Sequence, residues 1–189
     1  MKILVTGAAG SGTSTLAAAI AAKLQIASIE ADDFLWEPTV PPYRVQREHG
    51  TRADLLLAAF NRHNDVVVAG SVMGWGKPVE DAFTLVVFLY VEKAIRIVRL
   101  REREVRRFGS ADPAFLEWAA QYDDGPKSGR SLLMHRTWLA TRACPVLELA
   151  GDLSVAQRVD AVWQKLTSLQ PRDERKSPDS SHLPTGHSS

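Results

Sequence analysis

The residues with the clearest capacity for chemistry lie in a glycine-rich stretch near the N-terminus: Gly7, Ala8, Ala9, Gly10, Ser11, Gly12, Thr13, Ser14 and Thr15. An apolar segment, residues 2–6, precedes this stretch, and an alanine-rich segment, residues 16–24, follows it. The order of strand, glycine loop and helix is typical of the phosphate-binding pattern G-x-x-x-x-G-K-[ST]. Glycine allows backbone conformations in which successive N–H groups point into one concavity. The stretch is therefore predicted to bind phosphate at the N-terminus of a helix.

Two positions of the loop decide what chemistry it supports. Ser14 occupies the position whose hydroxyl ligates the magnesium ion that accompanies a polyphosphate. Thr13 stands where the pattern has a lysine, whose ammonium normally offsets charge on the outer phosphates during phosphoryl transfer. Two interpretations follow: another cation of the chain supplies the charge, or the site binds nucleotide and catalyses poorly. A glycine turn that merely joins strand and helix is disfavoured, because three glycines and a hydroxyl stand in register.

An acidic cluster follows the second predicted strand, residues 25–29. It consists of Glu30, Asp32 and Asp33. Further strands are predicted at residues 65–69, 85–90 and 145–149, alternating with helices, which indicates a parallel sheet. Ligands of such sheets lie at the carboxyl ends of the strands. The alternative, an ordinary acidic turn, is equally compatible with the spacing, but the sheet context favours a functional role for the acids.

The most basic segment lies between the fourth and fifth predicted strands. Its arginines recur at helical intervals: Arg96, Arg99, Arg103, Arg106 and Arg107. Interleaved glutamates allow a solvated helix laced with ion pairs. Guanidinium groups, however, stay charged at any relevant pH and bind phosphoryl oxygens in pairs. These arginines are therefore candidates for the positive charge that Thr13 does not provide.

Composition limits the kind of protein. The chain of 189 residues has a net charge of +1, which gives no general attraction to nucleic acid or to an anionic membrane. Its longest apolar run, residues 85–91, is far shorter than the roughly 20 residues of a membrane span. The single cysteine, Cys144, excludes an intramolecular disulfide and indicates a reducing compartment. We expect a cytoplasmic monomer or homodimer without nucleic-acid or membrane partners.

The loop, the acids after the second strand and the arginine-rich segment together resemble the P-loop kinases of the nucleoside monophosphate kinase and shikimate kinase type. The loop is also similar to the G-[SA]-G-T-[ST]-T variant of archaeal-type cytidylate kinases, which are active without the lysine. The chain further resembles a bacterial adenylate-kinase-like group, labelled AAA-family ATPases, with a D-D-F-x-W segment. The matching residues are Asp32, Asp33, Phe34 and Trp36.

The resemblance implies an α/β fold of the P-loop NTPase class over residues 1–169. Three layers, α/β/α, would enclose a five-stranded parallel sheet in the order 2-3-1-4-5. A lid is expected at about residues 101–130, where Gly125, Pro126 and Gly129 divide two predicted helices. Residues 170–189 are rich in Pro, Ser, His and charge, and they are expected to form a disordered tail.

The resemblance also implies roles for individual residues. ATP and Mg²⁺ would bind the loop, with Ser14 and Asp32 on the metal and Asp152 in a turn similar to the one that holds adenine. The catalytic candidates are Asp33, Arg103 and Arg107. The candidates for binding a small-molecule acceptor are Asp32, Arg52, Trp75 and Arg130. The D-G-[FY]-P-R motif of adenylate kinases is missing, which speaks against AMP as the acceptor.

Two functions follow from these expectations. The first is a small kinase that transfers the γ-phosphoryl group of MgATP to an acceptor, with a lid that excludes water. The second is a nucleotide-binding regulatory module that lost efficient catalysis with its lysine. Binding of DNA or RNA through the arginine-rich helix is disfavoured by the interleaved glutamates and the nearly neutral chain.

Overall fold

The computed structural model describes residues 1–125 and 129–169. The predicted tail, 170–189, and residues 126–128 of the predicted lid lie outside this part of the chain. Five strands form one sheet: β1 (Lys2–Gly7), β2 (Ala27–Glu30), β3 (Val66–Ala69), β4 (Leu85–Tyr90) and β5 (Val146–Ala150). All four pairings are parallel, and the strand order is β2-β3-β1-β4-β5. The order expected from the resemblance is confirmed.

Helices follow the strands and connect them. They are α1 (Thr13–Leu24), α2 (Ala31–Leu35), α3 (His49–Arg62), α4 (Lys77–Glu80), α5 (Lys93–Phe108), α6 (Pro113–Ala120), α7 (Leu132–Ala140) and α8 (Val155–Leu169). None of the helices in the described ranges combines the length and apolar character that a membrane crossing requires.

The sheet is buried on both faces, as the continuous apolar strands predict. Side chains of one strand alternate between faces, so Ile3 and Val5 pack with α1 and α8, whereas Leu4 packs with α3 and α7. A third, smaller cluster joins α5 and α6, through Leu100 and Leu116, at the carboxyl edge of the sheet. The three-layer α/β/α arrangement is therefore confirmed, and its carboxyl edge is the place where loops and side chains converge.

The second strand differs from the predicted one in position. Gln25, expected inside the strand, is the C-cap of α1 with a left-handed φ of 56°, and the N–H of Ile26 still bonds Ala21 O at 3.0 Å. Gln25 and Ile26, which the apolar pattern assigned to the strand, therefore belong to the C-terminal end of α1. As a result β2 ends at Glu30, and Asp32 and Asp33 lie in the first turn of α2 rather than in an irregular turn.

The last helix begins with a reciprocal cap. Ser154 Oγ accepts from the N–H of Gln157 at 3.2 Å, and Gln157 Oε1 accepts from the N–H of Ser154 at 2.9 Å. Such a capping box fixes where a helix starts. It places Arg158, in the first turn of α8, directly beneath the glycine loop.

Candidate active site

The glycine loop between β1 and α1 depends on glycine at specific positions. Gly10 and Gly12 have φ angles of 83° and 92°, which other residues rarely adopt. A Cβ on Gly7 would lie 2.6 Å from Leu89 O, so the neighbouring strand leaves no room for a side chain. Gly12 is the N-cap of α1, and no side chain caps this helix end. The first N–H groups of α1 therefore remain available to an anion.

Two buried arginines hold the loop from outside. Arg96 on α5 is completely buried, and its Nη1 donates to Ala9 O at 3.5 Å. Arg158 on α8 is 4% exposed, and its Nη1 donates to Ser11 O at 2.9 Å. Arg96 was expected on a phosphate-facing helix surface, but the structure places it beneath the loop. Sequence reasoning did not single out Arg158, because its contact is 147 residues away along the chain.

Ser14 pairs with a carboxylate that the sequence analysis did not assign. Its Oγ donates to Glu30 Oε2 at 3.0 Å. The pKa of Glu30 is raised, mainly by desolvation, while the Ser14 hydrogen bond opposes the shift and the charges of Asp32 and Asp33 add to it. The structure thus places the Glu30 carboxylate within hydrogen-bond distance of the hydroxyl that is predicted to ligate the metal. The signal was present, since Glu30 is the last residue of the strand that precedes the acids.

Asp32 lies under the influence of a different cation. Desolvation raises its pKa, and the guanidinium groups of Arg130 and Arg103 act in the opposite direction. Burial lowers the pKa of Arg130, and Asp32 is the largest influence that opposes this. The side chains of Asp32 and Asp33 are both exposed, and the backbone oxygen of Asp33 accepts from Arg47 at 2.9 Å. Asp32 and Arg130, both predicted to bind substrate, are therefore brought together.

A large cavity of about 630 Å³ opens beside Arg130, whereas Asp32 and Asp33 line a second cavity of about 260 Å³ that shares Trp36 and Tyr43 with it. Three of the predicted acceptor-binding residues, Arg52, Trp75 and Arg130, line the large cavity. Arg52 stacks over the Trp75 ring at 5.3 Å, and the buried Nε of Arg52 has no hydrogen-bond partner among the described residues. The other lining residues are Leu35, Trp36, Tyr43, Gln46, Ser71, Met73, Phe115, Trp118 and Gly129.

A small cavity lies beside the glycine loop and shares two lining residues, Trp118 and Arg130, with the large cavity. It is lined by Gly7, Ala8, Ala9, Trp118, Ala119, Tyr122 and Arg130. Trp118 and Arg130 border both cavities, so one arginine lies between the loop and the large cavity. The two cavities share a single wall formed by α6 and the segment before α7.

The remaining predicted site residues form contacts of other kinds. Arg103 pairs with Glu104 at 3.0 Å, although it also influences the pKa of Asp32. Arg107 donates to the hydroxyl of Tyr43 at 3.3 Å, at the rim of the large cavity. Asp152 pairs with Arg99 on α5. Of the helix arginines, Arg103 is thus the one whose charge acts on the acidic cluster.

The donor set at the loop fits a magnesium ion that is completed by phosphate and water. Within the described residues, no group of three or more His, Cys, Asp or Glu side chains is arranged to hold a metal ion by itself. Mg²⁺ typically takes one or two protein oxygens and fills its other positions with substrate phosphates and water. The hydroxyl of Ser14 and the carboxylate of Glu30 provide such oxygens at the N-terminus of α1.

The fold and the loop define the class of the protein. A parallel sheet in the order 2-3-1-4-5, with a glycine loop after its central strand, is the architecture of P-loop kinases of the nucleoside monophosphate kinase type. The resemblance inferred from the sequence is confirmed. Residues 3–112 match the family described as AAA domain, and the chain belongs to this family.

Three similar proteins illustrate the range of the class. The protein YqaC of Bacillus subtilis (strain 168), described as uncharacterized, is 36% identical over 177 residues, covering 88% of this chain and 98% of that protein. A cytidylate kinase of Archaeoglobus fulgidus is 30% identical over 115 residues, covering 55% of this chain and 62% of that enzyme. A structure of shikimate kinase from Acinetobacter baumannii in complex with shikimate aligns with a TM-score of 0.56 at 14% identity, covering 93% of this chain and 95% of the other.

Proposed function

We propose that the protein is an ATP-dependent phosphotransferase that transfers the γ-phosphoryl group of MgATP to a small acceptor. The observation that carries the proposal is the position of Arg130, which borders both the small cavity beside the glycine loop and the large cavity. A cation between a phosphate site and a second pocket is placed to stabilise charge on a phosphoryl group in transit. We call the large cavity the acceptor cavity from here on.

The lining of the acceptor cavity supports an acceptor with an anionic group and a flat face. Arg52 and Arg130 offer guanidinium groups to a carboxylate or phosphate. Trp118 is only partly buried and offers an aromatic surface against which a ring can pack. A cavity of about 630 Å³ is of the size that small-molecule ligands occupy. The cytidylate and shikimate kinases are named for different acceptors, so the fold alone does not select one.

The acidic residues have separate roles in the proposed reaction. Because the pKa of Asp32 is raised, its carboxylate is a stronger base than an ordinary aspartate and suits the acceptance of a proton from an acceptor hydroxyl. Asp33 is exposed and would orient the acceptor from the rim. Ser14 and Glu30 would hold Mg²⁺, which when bound offsets charge on the phosphates. Closure of a lid that includes Arg103 and Arg107, which would exclude water, remains part of the proposal.

The test is ATP consumption by the purified protein with a panel of acceptors, together with calorimetric binding of MgATP. The panel comprises nucleoside monophosphates, nucleosides and hydroxylated carboxylic acids. We expect one class of anionic ring acceptors to stimulate turnover by at least tenfold over the rate with ATP alone. Tight MgATP binding without stimulation by any acceptor would favour the regulatory module, and Thr13→Lys would then also fail to produce turnover.

A cytoplasmic location and a monomeric or homodimeric state remain predictions. Size-exclusion chromatography with light scattering at working concentration tests the second of them.

A further inference from the structure

The two arginines beneath the glycine loop differ in how their charge is balanced. The Nη2 of Arg96 forms an ion pair with Asp123 at 2.5 Å, and its Nη1 also donates to Ala119 O at 3.2 Å. The guanidinium of Arg96 is therefore neutralised where it lies. It ties α5 and α6 to the loop without adding net charge.

Within residues 1–125 and 129–169, Arg158 has no such carboxylate partner. Its Nη1 donates to Ser11 O at 2.9 Å and its Nη2 to Gly151 O at 3.1 Å, and both acceptors are uncharged carbonyl groups. Across residues 1–125 and 129–169, no carboxylate forms an ion pair with Arg158. The acid that acts on its pKa, Asp152, already pairs with Arg99. Arg158, Asp152 and Arg99 together retain one unbalanced positive charge next to the loop.

A charge buried in this way is costly, and the Nε of Arg158 also has no hydrogen-bond partner in the part of the chain that the structure describes. Burial of a cation without a counter-ion reduces stability unless something else compensates for the lost hydration. An anion bound in the loop would provide that compensation. The position of Arg158 is thus better explained by a bound phosphate than by folding alone.

The hydrogen bond to Ser11 also fixes the direction of the next N–H group. In a planar trans peptide, the C=O of Ser11 and the N–H of Gly12 point in opposite directions. Because the guanidinium holds the carbonyl on the outer side, the N–H of Gly12 points to the inner side of the loop. A Cβ on Gly12 would lie 3.3 Å from Arg158 Nη1, so the cation lies directly behind this peptide. The cation also polarises the peptide toward an anion on the inner side.

We propose that Arg158 supplies the positive charge for nucleotide phosphates that a loop lysine supplies in the usual pattern and that Thr13 cannot supply. Arg158 acts from behind the loop, on the side opposite the ligand. The inference rests on the proposed function, because it presumes that a nucleotide occupies the loop. It assigns the role to α8 rather than to the arginines of α5 that the sequence favoured. Arg158 is a positioning residue, since it acts through the Ser11–Gly12 peptide and through its field.

The charge of Arg158 should matter more as the ligand carries more phosphates. A positive and a negative charge that lie within about 10 Å of each other in a protein attract strongly enough to change affinity by about an order of magnitude. We expect Arg158→Met to weaken MgATP binding by about thirtyfold, and AMP binding by about threefold. A uniform loss for both nucleotides would indicate a loosened loop rather than a lost charge.

The experiment measures dissociation constants of MgATP and AMP by calorimetry, and melting temperatures by circular dichroism, for four variants. Arg158→Met removes the charge, and Arg158→Lys keeps it but loses the planar fork. Thr13→Lys in the Arg158→Met background restores a charge at the loop without restoring the bonds to the two carbonyls. The matched control is Lys23→Met, which removes a cation about 15 Å along α1 from the loop.

The expected result is a selective loss of MgATP affinity in Arg158→Met, recovered at least fivefold by Thr13→Lys while the melting temperature stays low. Lys23→Met should bind MgATP as the wild type does. If the wild type binds MgATP and Arg158→Met binds it equally well, the inference is wrong and the proposed function stands. If the wild type does not bind MgATP, both are wrong. If Arg158→Met does not fold, a tenfold loss in Arg158→Lys contradicts the inference, and a loss below threefold supports it.

Discussion

The glycine loop and the acceptor cavity share one edge of the sheet but come from different kinds of sequence. The loop is a contiguous stretch whose function depends on backbone conformation, and two buried arginines hold its carbonyl groups. The acceptor cavity is lined by side chains that range from Leu35 to Arg130, and several of them are only half buried. The loop therefore tolerates little change, whereas the cavity can alter its specificity by exchanging side chains.

The largest expected effect tests how strictly the loop depends on its backbone. In Gly10→Val, the new Cβ would lie 2.6 Å from Arg96 O, at a φ of +83°. Strain and steric overlap should lower the free energy of unfolding by about 4 kcal/mol and abolish measurable MgATP binding. Denaturant unfolding and calorimetry provide the two measurements.

Gly74→Val is the matched control for this variant. Gly74 also has a positive φ, +77°, but no described heavy atom lies within 4 Å of its Cβ position. It should lose only about 1–2 kcal/mol and retain MgATP binding. Equal losses in both variants would show that the left-handed backbone, and not the contact with Arg96, sets the requirement for glycine.

The second prediction concerns how the free energy of unfolding depends on pH. His135 on α7 is 1% exposed, and its Nδ1 and the Tyr122 hydroxyl form a hydrogen bond of 2.6 Å. Burial, assisted by the charge of Arg130, lowers the pKa of His135 to about 4. The unfolded chain takes up this proton near pH 6.5, so stability should fall by about 3 kcal/mol as the pH drops from 6.5 to 4. Urea unfolding at several pH values measures the slope.

His135→Phe should remove this dependence, although it leaves the Tyr122 hydroxyl without its partner and is less stable at pH 8. Tyr122→Phe loses the same hydrogen bond but keeps the imidazole, so its acid-dependent loss should persist. If the slope between pH 6.5 and 4 is the same in His135→Phe and in the wild type, other groups cause it.

The third prediction distinguishes the function of the acceptor cavity from that of the glycine loop. Arg130→Met should reduce kcat/KM for a stimulating acceptor by about a hundredfold, because a charged hydrogen-bonding group near the transferred phosphoryl is lost. The affinity for MgATP should change by less than threefold. Arg136→Met, which removes an exposed arginine paired with Glu148, serves as the control and should leave both quantities unchanged. Loss of MgATP affinity in Arg130→Met would place this arginine in the nucleotide site instead.

The smallest expected effect concerns Ser14, which pairs with Glu30 at the predicted metal position. Ser14→Ala should weaken nucleotide binding about tenfold with Mg²⁺ present and leave binding in EDTA unchanged, because only the metal-dependent contact is lost. Calorimetric titrations with and without Mg²⁺ compare the two conditions. The control is Ser28→Ala, which removes an exposed hydroxyl on β2 outside the glycine loop and should leave binding unchanged in both conditions. Unchanged MgATP affinity in Ser14→Ala would contradict the assignment.

The contrast between the contiguous glycine loop and the acceptor cavity also explains which features the sequence could predict. The glycine pattern and the apolar strands are local signals, so the loop, the parallel sheet and the helix at Thr13 follow from them. Glu30 was recognised as part of the acidic cluster but received no role of its own, because its hydrogen bond with Ser14 joins residues that lie 16 apart in the sequence. Neither periodicity nor spacing could reveal Arg158, since its contact with Ser11 exists only after α8 packs on α1.

The acceptor cavity shows an intermediate case. Arg52, Trp75 and Arg130 were expected to bind an acceptor, and the structure brings all three to one cavity. Trp118 and Tyr43 also line this cavity, but the sequence analysis assigned neither of them a role in binding the acceptor. Side chains from separate loops converge through tertiary packing, which leaves no pattern within any single segment.

The central claim, transfer of a phosphoryl group to an acceptor, is tested most directly by following the products with ³¹P NMR. The purified protein is incubated with MgATP and each acceptor that stimulates ATP consumption. The account predicts equimolar ADP and a new phosphorylated acceptor, with little inorganic phosphate. ADP and inorganic phosphate alone, with no phosphorylated acceptor, would contradict it and identify an ATPase.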